Sequence, residues 1–214
     1  MPPDASATKA RLLQAATEEF TAYGVAGARV DRIAARARAN KRLIYVHFGT
    51  KEELFDIVVQ RQLGVLADAV PFTPDDLPGY AGALFDWVAA HPEALRLNAW
   101  KQLERPDPAT AEMDIYRPKL AALAALPGQG PLPGATPADI LALIIGLATA
   151  WFTTSPALRE LAPEPPWSPA RLTTHRAAVV AAAASLTQPA QPQPATTPPV
   201  EPGKPSLPAS PSIP

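Results

Sequence analysis

Apolar residues in this chain recur at three- and four-residue steps, and no run alternates every second position as a half-buried strand would. Leu12, Ala16, Phe20 and Tyr23 line one face of a segment spanning 8–23, and Gly24 follows as a helix-ending residue. Val30, Ile33, Ala34 and Ala37 do the same over 29–37. After the three residues Arg38-Ala39-Asn40, a short helix is predicted over 41–47 with Asn40 as its N-cap. A longer helix begins at Lys51, marked by the capping box Thr50-x-x-Glu53 and the stripe Leu54, Ile57, Val58 and Leu66. The fold class this predicts is all-α.

Proline punctuates the remainder. Pro71, Pro74 and Pro78 interrupt the periodicity and mark a joint, beyond which helices are predicted over 79–90, 92–104, 109–125, 137–154 and 169–187. Thr136-Pro137 and Ser168-Pro169 each set a capping residue before a proline at the first helical position. Ten of the last 26 residues are proline, among polar neighbours with little to bury, so 188–214 reads as a disordered tail. The expected organisation is a flexible arm at 1–7, a small helical domain at 8–54, a helical bundle at 55–187, and that tail.

Several function classes are disfavoured by what the sequence lacks. Cysteine is absent, which removes disulfides, thiolate metal sites and a cysteine nucleophile, and fits a cytoplasmic setting. The opening residues carry no basic segment followed by an apolar run, so no secretory signal is read there. The most apolar stretch, 140–152, has thirteen residues, whereas a bilayer span needs about 20. His47, His91 and His175 lie far apart without metal-ligand spacing, and neither a phosphate-binding glycine loop nor a Gly-x-Ser-x-Gly elbow occurs. Asp75-Asp76 reads as an acidic turn or helix start. Neither an enzyme, nor a metal, nor a cofactor is expected.

Charge is more informative locally than in total. The chain carries a net −1, yet Arg29, Arg32, Arg36, Arg38, Lys41, Arg42 and Lys51 share a window with one acid, Asp31. That window is +6, which leaves −7 for the rest. A basic patch on an acidic body fits a protein that meets DNA with one face; a solvated, arginine-rich helix face fits the charges equally well. Two short helices joined by three residues, the second capped and basic, are also what a helix-turn-helix requires.

The wording of the first quarter goes further. Leu12-Leu13-Gln14-Ala15-Ala16, Phe20 and Gly24 are followed by Val30-x-x-Ile33-Ala34-x-x-Ala37. Then comes Lys41-x-x-Ile44-Tyr45-x-His47-Phe48-x-x-Lys51-Glu52-x-Leu54-Phe55. This pattern closely resembles the DNA-binding domain of the tetracycline-repressor (TetR) family. In the second half, His91-Pro92-Glu93-Ala94-Leu95-Arg96-Leu97 with Trp100 is a fainter likeness. The resemblance implies a dimeric transcription regulator, most simply a repressor of a palindromic operator on double-stranded DNA, relieved by a small apolar or aromatic effector. A helical interaction or ligand-binding protein with degenerate DNA affinity is the alternative.

The resemblance also suggests roles. Lys41, Arg42 and Leu43 open the recognition helix, where Arg42 or Lys41 pairs with guanine and Leu43 meets a thymine methyl. Asn40 caps that helix. Tyr45 and His47 match phosphate-contacting aromatics, while Lys51 and Arg29 each meet a phosphate at a helix start. For the second domain, Trp87, Trp100, Leu103, Met113, Tyr116 and Leu147 are the candidate effector-pocket residues. Ile140, Leu141, Ile144, Ile145, Ala148, Trp151 and Phe152, facing an alanine-rich 169–187, are the candidate homodimer surface. Two departures stand out. Arg38-Ala39-Asn40 replaces the family's usual Gly-Val-Ser turn, and Glu19 occupies a position that is usually apolar.

Overall fold

A computed structural model describes residues 5–126 and 134–186 as ten α-helices, with no strand among them. They are α1 (Ala5–Gly27), α2 (Val30–Arg36), α3 (Lys41–Phe48), α4 (Lys51–Ala69), α5 (Leu77–Ala90) and α6 (Pro92–Glu104). Then follow α7 (Thr110–Ala124), α8 (Pro137–Thr153), α9 (Pro156–Glu160) and α10 (Pro169–Ser185). The expected tail at 188–214, and residues 1–4 of the expected arm, lie outside the described residues. Residues 5–7 of that arm are already helical.

The start signals read from the sequence operate as such. Thr50 and Glu53 form a reciprocal capping box on α4, and Thr136 with Asp139 forms a second on α8. Ser168 caps α10, and Asp76 caps α5 by accepting the Gly79 N–H at 2.8 Å. The five-residue α9, opened by Ser155 and Pro156, was not foreseen. It lies between two predicted helices and is too short to carry a period.

Two apolar cores organise the helices. Leu12, Phe20, Ile33, Ala34, Ile44, Phe48, Leu54, Phe55 and Val58 bury one, with Phe20 set edge-on to Phe55 at 5.2 Å between ring centroids. Leu97 of α6 also enters it. The second joins α5 to α8 and α10 through Leu84, Phe85, Val88, Ile144, Ala148, Trp151, Val179 and Ala183. The boundary expected after residue 54 therefore falls inside α4. The first half of α4 belongs to the first core, and Leu66 packs against the second.

α1 does not end at Gly24 but breaks there. Gly24 adopts φ 66°, ψ −170°, and helical geometry resumes to Gly27. Glu104 of α6 accepts the freed N–H groups of Val25 and Ala26, and Trp100 Nε1 donates to the Thr21 carbonyl at 3.2 Å. Just past α6, Arg105 forms a two-pronged ion pair with Asp56 of α4 at 2.6 and 2.8 Å. The end of α6 thus holds both α1 and α4.

Candidate nucleic-acid interface and effector cleft

α2 and α3 are two short helices joined by Ala37–Asn40. Ile33 and Ala34 on the first, and Ile44 and Phe48 on the second, turn inward to the shared core. The opposite side of α3 faces solvent: Lys41, Arg42, Tyr45 and Val46 are exposed, Tyr45 by 50% and Val46 by 64%. Exposed apolar and aromatic side chains on a basic helix give a surface able to enter a groove and touch bases.

The turn is built with Arg38 in the left-handed region, φ 49°. Its geometry is closed by Arg38 N–H to Ala35 O at 3.1 Å and Ala39 N–H to Ala34 O at 3.0 Å. Asn40 then caps α3, its Oδ1 accepting the Arg42 N–H at 2.8 Å.

The basic side chains are not equally free. Lys41 is bound to Asp31 at 2.8 Å, Arg36 to Glu18 at 3.3 Å, and Arg32 to Glu19 at 2.6 Å. Asp31 accordingly holds the Lys41 ammonium above its ordinary pKa by hydrogen bond and by charge. Arg29, Arg38, Arg42 and Lys51 have no carboxylate partner among the described residues. Lys51 reaches only the Ala28 carbonyl, at 3.5 Å. His47 is half-buried, its ring 6.0 Å from that of Phe48, and Leu43 is half-buried against the first core. Asn40, Lys41, Arg42, Tyr45, His47 and Lys51 are thus gathered on and around α3, with Arg29 at the start of α2.

Glu19 is the residue whose role the sequence left open. Its side chain is 1% exposed, and Oε1 accepts from the Arg29 N–H at 2.9 Å and from Arg32 Nε at 2.7 Å. Burial pushes its carboxyl upward, but the hydrogen bonds of Arg32 and Arg29 and the charges of Arg32 and Arg36 outweigh this. The carboxyl sits below its usual value.

A cleft of about 470 Å³ opens between the end of α6 and α7. Met113 and Tyr116, both anticipated, line it with Pro106, Pro108, Leu120 and Arg117. Lys101 and Glu112 also border it. Lys101 is only 6% exposed, and its ammonium is spent on the Arg105 and Asp107 carbonyls at 2.6 and 2.8 Å, with Glu112 at 3.8 Å. No sequence signal pointed to Lys101, because its partners are carbonyls beyond the helix end. Burial, then the charge of Glu112, raises the Tyr116 phenol, keeping it a hydrogen-bond donor.

The other anticipated pocket residues lie away from this cleft. Trp100 is committed to the α1 break, and Leu103 is 74% exposed. Trp87 stacks on His91 at 4.5 Å inside the second core, and Leu147 packs half-buried beside that core. The anticipated dimer residues also divide. Leu141, Ile144, Ala148 and Trp151 are buried against α5 and α10 because α8 needs one stripe for its own chain. Ile140, Ile145 and Phe152 are half-buried at the edges of that core.

Residues 12–58 match the description "Bacterial regulatory proteins, tetR family", and residues 76–184 match "Tetracyclin repressor-like, C-terminal domain". The chain belongs to the TetR family. Among similar members, the HTH-type transcriptional repressor SCO4008 of Streptomyces coelicolor is 43% identical over 166 residues, 74% of this chain and 84% of that one. NicS of Pseudomonas putida, another HTH-type transcriptional repressor, is 31% identical over 108 residues, 47% of this chain and 51% of its own. The crystal structure of SCO4942 from Streptomyces coelicolor, described as a transcriptional regulator, superposes with a TM-score of 0.71 at 38% identity. That superposition covers 87% of this chain and 99% of SCO4942. As in other TetR-family proteins, the helix-turn-helix makes this chain a DNA-binding regulator of transcription. Among the described residues, no helix is long and apolar enough to cross a membrane.

Proposed function

We propose that this TetR-family protein is a cytoplasmic repressor that binds a palindromic operator as a homodimer and releases it when a small apolar or aromatic effector occupies the α6–α7 cleft. The observation that carries the DNA part is the outward face of α3. Arg42 stands there with no side-chain partner among the described residues, beside exposed Tyr45 and Val46. Because Lys41 is bound to Asp31, Arg42 is the guanine reader and Lys41 supports it. Arg29, Tyr45, His47 and Lys51 take phosphates, Asn40 fixes the start of α3, and Leu43 supplies an apolar contact at the groove.

Dimerisation follows from operator symmetry, with half-site centres about 34–36 Å apart or a multiple of that. The free side of α8 offers Leu143, Gly146 and Ala150, and α10 exposes Ala177, Ala178 and Ala181. Small residues on both helices let two copies approach closely. The effector reading rests on the cleft, whose volume suits a small organic molecule and whose lining is largely apolar. A ligand that favours one position of α6 shifts the balance between states, since the same helix grips α1 and α4.

The test is selection of the purified protein on a pool of random duplexes, beside Arg42→Ala and Lys51→Ala. A palindrome is expected to emerge. Arg42→Ala relaxes selection at one base per half-site, a loss of about 1–3 kcal/mol of discrimination. Lys51→Ala weakens all sequences alike. No enrichment at any salt concentration, with the apo protein correctly folded, overturns the DNA reading.

A further inference from the structure

The junction between α1 and α2 is held by three polar contacts on consecutive residues. Arg32 Nη2 donates to the Gly27 carbonyl at 2.9 Å, Lys51 Nζ to the Ala28 carbonyl at 3.5 Å, and the Arg29 N–H donates to Glu19 at 2.9 Å. Arg29 is the N-cap residue of α2, yet its own side chain makes no capping bond. A carboxylate from another helix instead accepts the N–H of the N-cap residue itself, at the end of α2 where the helix dipole favours negative charge. Glu19 also neutralises Arg32, whose guanidinium lies 4.4 Å from the centroid of the Tyr23 ring. Arg32 is therefore a strut between α1 and the junction rather than a free cation. What the junction presents outward is the exposed Arg29 side chain on one side and the Lys51 ammonium on the other.

We propose that Glu19 and Arg32 are positioning residues for DNA binding: their ion pair, with its carboxylate buried and its guanidinium part-exposed, sets Arg29 and Lys51 at the spacing with which they meet the phosphate backbone. This rests on the assignment of Arg29 and Lys51 to phosphates. Position 19 is where the TetR resemblance leads one to expect an apolar residue, and in this chain it holds one half of an ion pair. Glu19 Oε2 is buried without a hydrogen-bond partner, a cost that a purely apolar junction would avoid. Without Glu19, Arg32 would keep the Gly27 carbonyl and the Tyr23 ring but lose its carboxylate, and the Arg29 N–H would lose the acceptor it has among the described residues. Replacing both side chains with leucine removes the two charges together, so that neither is left without its partner, and puts an apolar group at the buried position 19.

The experiment measures affinity for the selected operator as a function of salt, using the full chain, with thermal unfolding recorded for each variant. Wild type is compared with Glu19→Gln, with Glu19→Leu/Arg32→Leu, with Arg29→Ala and Lys51→Ala, and with Arg29→Ala added to the double variant. The double variant is expected to keep wild-type helicity and a cooperative melt while its salt slope falls by about 1 per protomer, the signature of a lost phosphate contact. Adding Arg29→Ala to it costs far less than Arg29→Ala costs alone, because the contact is already gone. Glu19→Gln, which keeps an acceptor for the Arg29 N–H, recovers part of the slope. A folded double variant with wild-type slope, or fully additive losses with Arg29→Ala, overturns the positioning role. Unchanged slopes in both Arg29→Ala and Lys51→Ala would instead refute the phosphate assignment, and the inference with it.

Discussion

Arg38 shows how a single residue can be tolerated against its own backbone preference. It is the only non-glycine residue with positive φ among the described residues, at a position where family members usually have glycine. The left-handed conformation costs a residue with a Cβ about 1–2 kcal/mol. Glycine removes that strain but gives back about 0.4–1 kcal/mol through the freer unfolded chain. Arg38→Gly is therefore expected to stabilise the protein by about 0.5–1 kcal/mol, read as a rise of a few degrees in the melting midpoint. Its effect on DNA binding separates two roles for the side chain: retained affinity makes Arg38 a solvated charge, and a reduced salt slope makes it a phosphate contact. At this scale the sequence was legible wherever a residue's partner is close along the chain. Asn40 as a cap was readable, and so was the departure of the turn at Arg38, though not the conformation Arg38 takes there. Lys101 was not, because a lysine that solvates itself on the Arg105 and Asp107 carbonyls leaves no pattern before it folds.

Among the elements, α1 and α7 depart furthest from simple helices. Sequence periodicity placed the end of α1 at Gly24, and the glycine signal was sound. Its continuation to Gly27 depends on Glu104, eighty residues away, accepting the N–H groups that the break exposes. No local pattern encodes that. A Cβ on Gly24 would stand 2.6 Å from Glu104 Oε1 and 2.8 Å from Trp100 Cε3, in a backbone conformation that side chains rarely adopt. Gly24→Ala should accordingly cost about 2–3 kcal/mol in denaturant unfolding, through strain and the displacement of Trp100. Gly27→Ala, with only Tyr23 Cβ at 3.2 Å and no positive φ, serves as the mild control. α7 contains Pro118 and has no fully buried residue. It forms one wall of the cleft, and its lack of fully buried residues fits an element that can shift around a ligand. The caps of α4, α8 and α10 were readable because a side-chain cap is local chemistry.

For the whole molecule, the proposed dimer makes opposite predictions for the two sides of α8. Leu143 is exposed, so Leu143→Glu should leave the melting midpoint of an isolated protomer nearly unchanged while shifting the protein to monomer in sedimentation and weakening operator binding. Leu141 lies in the second core, and Leu141→Ala should cost about 2–5 kcal/mol of stability wherever the dimer forms. If Leu143→Glu leaves the dimer intact, the α8–α10 assignment falls. The apolar excess of 140–152 was visible in the sequence, but which residues serve the chain itself depends on the angle at which α5 and α10 meet α8, and periodicity alone does not set that angle. The grip of α6 on the broken α1 has a practical corollary for anyone recombining such regulators. A reading head transplanted from another protein would meet Glu104 and Trp100 reaching for a gap in α1. Unless the donor brings a glycine at the matching position, that joint becomes a collision, so the head and the tip of α6 have to be exchanged as one inherited part.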